Sequence, residues 1–456
     1  MKITTNICRK SMVKLLFTLL IILFLVLLIS TTGKSQLVEA ESEDNAKVEV
    51  QAENQDDPDE QISNTDAKIS AFDFNTSPLQ LNLTPEQVFQ NNEKEEPITQ
   101  FDQRARSLMV FLDLIDYAND ESDYSSIVGD IKPVGDTTYI HPRPYNIDIV
   151  EDGTISFELD SDPTVHWEEE VSAGTYAVYN LIPYEVYTWA VKDANGTITN
   201  QGKLMAKGNV RVLNTERVNN ARDLGGWDCD GGTVKYNMIF RGAPMEQATE
   251  YDKTQFQRLG LCCELDIRGD AEAYHLRESP IPRVKYVRIP IYGYDGGIKV
   301  DGHPVQQTKN ALELIIKNAI AGQSTYFHCA AGADRTGTLA YLLEGLLGVS
   351  ASDLDKDYEL TSFGYVGNGR MRSNTQYRLM KAYMESMPGN TLEEKFINWY
   401  LQVGFDVETL NSFRSVMTNG EPKTIVLDSR DNREKIVWHF KKPDGEAKNY
   451  DIPYFD

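Results

Sequence analysis

Ser324-Thr-Tyr-Phe-His328-Cys329-Ala330-Ala331-Gly332-Ala333-Asp334-Arg335-Thr336-Gly337 decides how this chain is read. Ser324 to His328 has the composition of a short β-strand, and Thr336 to Leu347 is an apolar helix that stops near Gly348. A strand, a small-residue loop and a helix in that order form one βα unit, and its neighbours repeat the pattern. Leu261 to Arg268 and Tyr286 to Ile291 read as strands. Val305 to Ala321 is helical in spacing and ends at Gly322, and Asn374 to Met387 and Leu392 to Val403 follow, the last with Thr391 and Glu394 spaced as a capping box. Alternating units of this kind predict an α/β domain, a largely parallel sheet with helices on both faces.

The loop itself carries chemistry. Cys329 is separated by five residues from Arg335, between a strand end and a helix N-terminus. Ala330, Ala331, Gly332 and Ala333 are small enough for backbone N–H groups to converge on one anion, and the helix dipole adds its positive end. Arg335 offers a planar fork for two phosphate oxygens, and the same donors favour the thiolate of Cys329. Thr336 is placed to donate to the sulfur when it leaves. Arg335 and the amides neutralise a phosphate by themselves, so the pattern calls for no metal and no cofactor.

With these residues the chain resembles the atypical bacterial tyrosine/serine phosphatases, a cysteine-dependent family. The family's Asn-x-Arg-Asp-Leu-Gly-Gly element corresponds to Asn220-Ala-Arg222-Asp223-Leu-Gly225-Gly226, its Asp-Leu-Arg strand end to Asp266-Ile-Arg268, and its Phe-Arg-Ser-Ala stretch to Phe240-Arg241-Gly-Ala. The resemblance spans Asn219 to Asn419 and implies a phosphocysteine enzyme acting on phosphotyrosine, sometimes on phosphoserine, phosphothreonine and phosphoinositides. Asp334 is then the implied general acid, with Asp266 as the alternative, and a carboxyl beside a bound phosphate dianion gains protons more readily. The family's loop lysine falls on Ala333. If that side chain faces the substrate, its neutrality disfavours polyanionic lipid headgroups. Arg222 and Asp223 are read as a pair bracing a turn. Two other readings stay open: a phosphoinositide or inositol phosphate phosphatase, and a non-catalytic phospholigand-binding surface protein.

Upstream, residues 128–212 change to short alternating runs: Tyr145 to Val150, Thr154 to Leu159, Thr175 to Leu181 and Val186 to Val191. Turn residues separate them, which predicts an all-β sandwich ahead of the α/β domain. Leu181-Ile-Pro-Tyr-Glu-Val-Tyr187-Thr-Trp189 resembles the tyrosine corner of fibronectin type III domains, where a Tyr hydroxyl bonds back to upstream backbone.

Further out, the chain turns acidic. Its 456 residues carry a net charge of −24, and positions 41–125 alone hold 21 acidic against 5 basic residues. This segment reads as a mostly disordered linker, too poor in apolar surface to offset chain entropy, although Ser107 to Ile115 is apolar enough to dock. The acidity argues against nucleic acid as a partner, since a phosphate backbone requires a basic footprint. Residues 1–40 place Lys2, Arg9, Lys10 and Lys14 before an apolar run from Leu15 to Ile29, and end at Val38-Glu39-Ala40. That is the pattern of a secretory signal, with an uncleaved membrane anchor as the alternative, so a secreted or cell-surface location is expected. Cys229, Cys262, Cys263 and Cys329 would remain, and Cys262 and Cys263 are expected as two half-buried thiols. Domain boundaries are drawn at 213–420 for the catalytic region and 421–456 for a C-terminal extension with a strand-like Ile436 to Phe440.

Overall fold

The computed structural model describes residues 97–114, 117, 141–273, 275–364 and 369–426. The expected signal, most of the acidic linker and the run Ile436 to Phe440 lie outside them. Among the described residues no helix is long and apolar enough to cross a membrane.

A β-sandwich precedes the α/β region. One sheet has five strands in the order Ile98–Asp102, Ile198–Lys207, Val186–Asp193, Gly153–Leu159, Asp162–Val171; the other pairs Tyr145–Ile149 with Gly174–Val178. Alternate residues face inward, as a half-buried strand requires: Ile155, Phe157 and Leu159 meet Tyr187, Trp189 and Val191 in the core. Tyr187 turns its hydroxyl back upstream and accepts the Ile182 N–H at 3.2 Å. Three strands differ from expectation. Asp162–Val171 opens on Asp162-Pro163, which reads as a turn, yet it is an edge strand, where proline is tolerated. Ile198–Lys207 is long and polar, so its pattern is weak in sequence. Ile98–Asp102 lies inside the expected linker and pairs in parallel with Ile198–Lys207, so folded chain starts before residue 128. The helix Arg106–Leu114 follows it and seats Leu108 and Phe111 in the core of the α/β region.

That region is built on a five-stranded sheet ordered Lys285–Arg288, Leu261–Asp266, Ser324–His328, Ile239–Gly242, Arg222–Asp223. The first four are parallel and the last is antiparallel. Period-two alternation sends Phe240 and Tyr326 to one face, under the helix Glu250–Arg258. Ile239 and Phe327 go to the other face, under the helices Val305–Ile320, Asp334–Leu347, Leu392–Gln402 and Val407–Met417. The sheet is therefore covered on both sides, as read from the sequence. The cap of Leu392–Gln402 is half of the expected box: Thr391 accepts the Glu394 N–H at 3.1 Å, while the Glu394 carboxylate takes the Asn390 N–H instead. Thr249 and Asp252 form the full reciprocal box at the start of Glu250–Arg258. All four described cysteines are free; Cys262 is exposed and Cys263 buried, so the neighbouring thiols are not both half-buried. The pairing of this strand with Ser324–His328 shifts register between Leu261 and Cys263, at the exposed Cys262.

Candidate active site

The loop from Cys329 to Ala333 leaves the central strand of the sheet, whose five residues are all buried. Cys329 follows at the strand's end and is itself 2% exposed, so it lies at the floor of the loop. Behind it, His328 Nε2 meets Glu264 Oε1 at 2.9 Å. Burial works against a charged ring, but the Glu264 contact outweighs it and lifts His328 above the usual imidazole value.

Two neighbours determine which way the loop's peptides point. Asn220 Nδ2 donates to the carbonyls of Ala331 and Gly332 at 3.2 and 3.0 Å. Arg241 Nη2 donates to the Gly332 carbonyl at 3.1 Å. Carbonyls held outward leave amides facing the centre, which is the condition for an anion cradle. Arg241 and Arg222 are in turn anchored on Asp357, the latter at 3.0 Å. Arg222 and Asp223 therefore do not pair with each other. Asp223 instead accepts the Gly225 and Asn237 amides at 2.9 and 2.8 Å and faces Arg211. They are adjacent residues of one strand, so their side chains leave on opposite faces. Gly332 has a positive φ of 65°, and a Cβ there would lie 2.3 Å from the Gly242 carbonyl carbon. No other residue fits that turn.

The structure brings Cys329, Asp334, Arg335 and Thr336 together at one loop and helix start. Burial would push the Cys329 thiol up. The Thr336 hydroxyl and amide, the Ala331 amide and the Arg335 charge outweigh it and hold the thiol below its ordinary range. The Thr336 hydroxyl is buried and reaches no other partner of ordinary hydrogen-bond geometry, which leaves it to the sulfur. Ala333 is fully enclosed by protein, so its methyl does not face a substrate as the resemblance implies. Arg335 lays its fork on Glu272, with Nη1–Oε2 at 2.6 Å and Nη2–Oε1 at 2.8 Å. Asp334 receives Arg370 through Nε at 2.7 Å and Nη2 at 2.8 Å, and the Tyr294 hydroxyl as well. Burial raises the Asp334 pKa, but these two donors and the nearby arginine charges overcome it and hold the carboxyl below its ordinary value. Asp266, the alternative acid, is fully buried and consumed by Arg268 and by Tyr286 at 2.9 Å.

The sequence does not single out Glu272, Tyr294 or Arg370. Glu272 lies on the short helix Asp270–Ala273 and Tyr294 and Arg370 on connecting segments, none with a motif of its own, and only the fold brings them within contact. Among the described residues no three His, Cys, Asp or Glu side chains are grouped as a metal would require.

Residues 213–418 match the profile of the tyrosine phosphatase family. A Cupriavidus necator protein classed by inference as a tyrosine-protein phosphatase is 29% identical over 166 residues, covering 31% of this chain and 60% of that one. A tyrosine-protein phosphatase of Nostoc commune is 27% identical over 160 residues, 29% of this chain and 51% of the relative. The chain thus spans only about half to three fifths of the length of these relatives. Among solved structures, P. aeruginosa TpbA is 16% identical and matches 37% of this chain and 97% of its own, with a TM-score of 0.24. The core domain of a PP-IP phosphatase from S. cerevisiae is 18% identical over 35% of this chain and 88% of its own, with a TM-score of 0.23.

Proposed function

We propose that this protein, whose residues 213–418 match the profile of the tyrosine phosphatase family, hydrolyses phosphomonoesters, phosphotyrosine in proteins first among them, through a phosphocysteine intermediate. The observation that carries the reading is the loop whose Ala331 and Gly332 carbonyls are held outward by Asn220 and Arg241, with Cys329 at its base.

In the first step the Cys329 thiolate attacks phosphorus. Arg335 and the loop amides take up the equatorial oxygens, and Asp334 protonates the departing oxygen. In the second, water attacks the phosphocysteine, Asp334 accepts its proton, and Thr336 stabilises the leaving sulfur. Cys329 lies at the floor of its loop, and a phosphoryl group on an aromatic stem reaches such a depth more easily than one on a short serine stem. That supports phosphotyrosine as the substrate class. The basic segment, apolar run and small-residue end within residues 1–40 support export to the cell surface or beyond.

The full chain is assayed on p-nitrophenyl phosphate and on a phosphotyrosine peptide. Both are turned over by the wild type, and Cys329→Ser lowers kcat by about 10³-fold or more while phosphate still binds. Comparable turnover in that variant refutes the mechanism. Faster turnover of a phosphoinositide than of the peptide refutes the substrate class and leaves the chemistry standing.

A further inference from the structure

We propose that Arg370 is a positioning residue that sets the protonation state of Asp334, and with it the pH at which the enzyme loses activity. This rests on the reading of Asp334 as the general acid and base.

The geometry poses a chemical conflict. A general acid must carry a proton, yet Asp334 faces Arg370 in a two-point contact, Nε to Oδ1 at 2.7 Å and Nη2 to Oδ2 at 2.8 Å. A fork on both oxygens is the arrangement that most favours the ionised carboxylate. The Tyr294 hydroxyl donates to Oδ1 as well, and is itself 2.9 Å from the Tyr358 hydroxyl. Arg335, already paired with Glu272, adds a second positive charge nearby. Cys329 supplies negative charge to the same loop through its contact with Arg335. In the free enzyme the acid is therefore held without its proton.

Arg370 is not a loose surface cation. Its N–H donates to Ser362 Oγ at 2.8 Å, and the same Oγ donates to its carbonyl at 2.8 Å. Two residues on, the Arg372 N–H is bound by Glu359 Oε1 at 2.6 Å. The backbone is thus fixed on the turn Thr361–Phe363, and the side chain is 18% exposed.

A phosphate dianion entering the loop resolves the conflict. It attracts Arg370 away from Asp334 and adds negative charge beside the carboxyl, and both effects raise the affinity of Asp334 for a proton. Asp334 takes that proton from solvent or from the substrate monoanion and gives it to the leaving oxygen. It then recovers one from the attacking water. When phosphate leaves, Arg370 returns and the proton goes to solvent.

The test is the pH dependence of kcat/KM for phosphotyrosine, a substrate whose poor leaving group depends on the acid, measured on the full chain. This parameter reports the free enzyme, and substrate ionisation cancels between variants. Arg370→Gln moves the falling, high-pH limb upward by about one pH unit or more, since an arginine neighbour lowers an aspartate by about 1–3 units. Arg370→Lys, a point charge in place of the fork, moves it upward by less. An unmoved limb in Arg370→Gln, or in Arg370→Lys if the glutamine variant does not fold, overturns the proposal. If Asp334→Asn turns over phosphotyrosine at the wild-type rate, the underlying assignment of the acid fails instead.

Discussion

Asn220 occupies a left-handed backbone conformation, with φ of 56°, and asparagine is among the few residues that visit that region readily. The conformation turns its side chain onto the two loop carbonyls, while Oδ1 accepts Arg222 Nη1 at 2.5 Å. One amide group thus joins the phosphate loop to the Arg222–Asp357 anchor. Removing it frees the peptides of Ala331 and Gly332 to rotate, which would turn carbonyl oxygens toward an incoming phosphate. Asn220→Ala is therefore expected to lower kcat/KM by about 10²-fold, the scale of a misplacement of about 1 Å in a reacting group. The melting temperature should fall far less than in a core deletion. Steady-state kinetics on p-nitrophenyl phosphate, with a thermal melt of the same sample, separates the two. Activity within a factor of three of wild type would show that the loop holds its shape without Asn220.

At the scale of elements, the segment from Ile98 to Tyr117 ties the sandwich sheet to the α/β region. Its strand pairs with Ile198–Lys207, its helix buries Phe111 against Phe363 at a ring separation of 5.0 Å, and Tyr117 donates to Glu359. Glu359 lies on the helix Ala351–Leu360 and is pushed up to about 7 by burial, against the lowering effects of Tyr117 and Arg372. Its folded value is thus above its ordinary one of 4.5, so the stabilisation from its protonated form is complete below about pH 4.5 and is lost as pH rises toward 7. Glu359→Gln, neutral at every pH, is expected to flatten this part of the stability curve. Between pH 5 and 8 the wild type should lose on the order of 2–3 kcal/mol that the variant does not. Chemical denaturation at the two pH values checks it, and parallel losses would refute it. This strap also shows what the sequence discloses and what it hides. The helices Val305–Ile320 and Leu392–Gln402 are legible because their apolar periodicity matches the face they bury, and the fully buried strand Ser324–His328 is legible by its composition and its place before the loop. Cys329, Asp334 and Arg335 are legible because one strand–loop–helix unit holds all three. Ile98–Asp102 is hidden because its burial is partial and its pairing depends on a strand about a hundred residues away in sequence. Arg370 and Glu272 are hidden for the same reason: their partners are distant in sequence, and nothing local in 369–372 or 270–273 encodes them.

At the scale of the molecule, the sandwich and the α/β region meet around a cleft of about 340 Å³ lined by Trp167, Tyr176, Tyr251 and Arg258 among others. A junction that encloses this much space is not held by close packing alone, so discrete polar contacts carry much of its rigidity. Arg258, from the helix Glu250–Arg258, reaches Glu169 of the sandwich at 2.6 Å and lies 5.5 Å over the Trp167 ring. Asn180 of the sandwich donates to Gln255 of the same helix at 2.9 Å and to the Asn214 carbonyl at 3.2 Å. That helix covers the sheet face opposite the one packed against the loop helix, so loosening the junction does not strain the catalytic loop directly. Arg258→Ala removes an ion pair and a cation–π contact that are partly exposed, together worth about 1 kcal/mol. The expected consequence is mechanical more than catalytic: faster protease cleavage between Lys207 and Leu213, with kcat on p-nitrophenyl phosphate within twofold of wild type. Limited proteolysis timed against that assay measures both on one preparation. A fall in kcat matching the gain in cleavage would show that the sandwich supports the geometry of the loop, and that the two regions work as a single body.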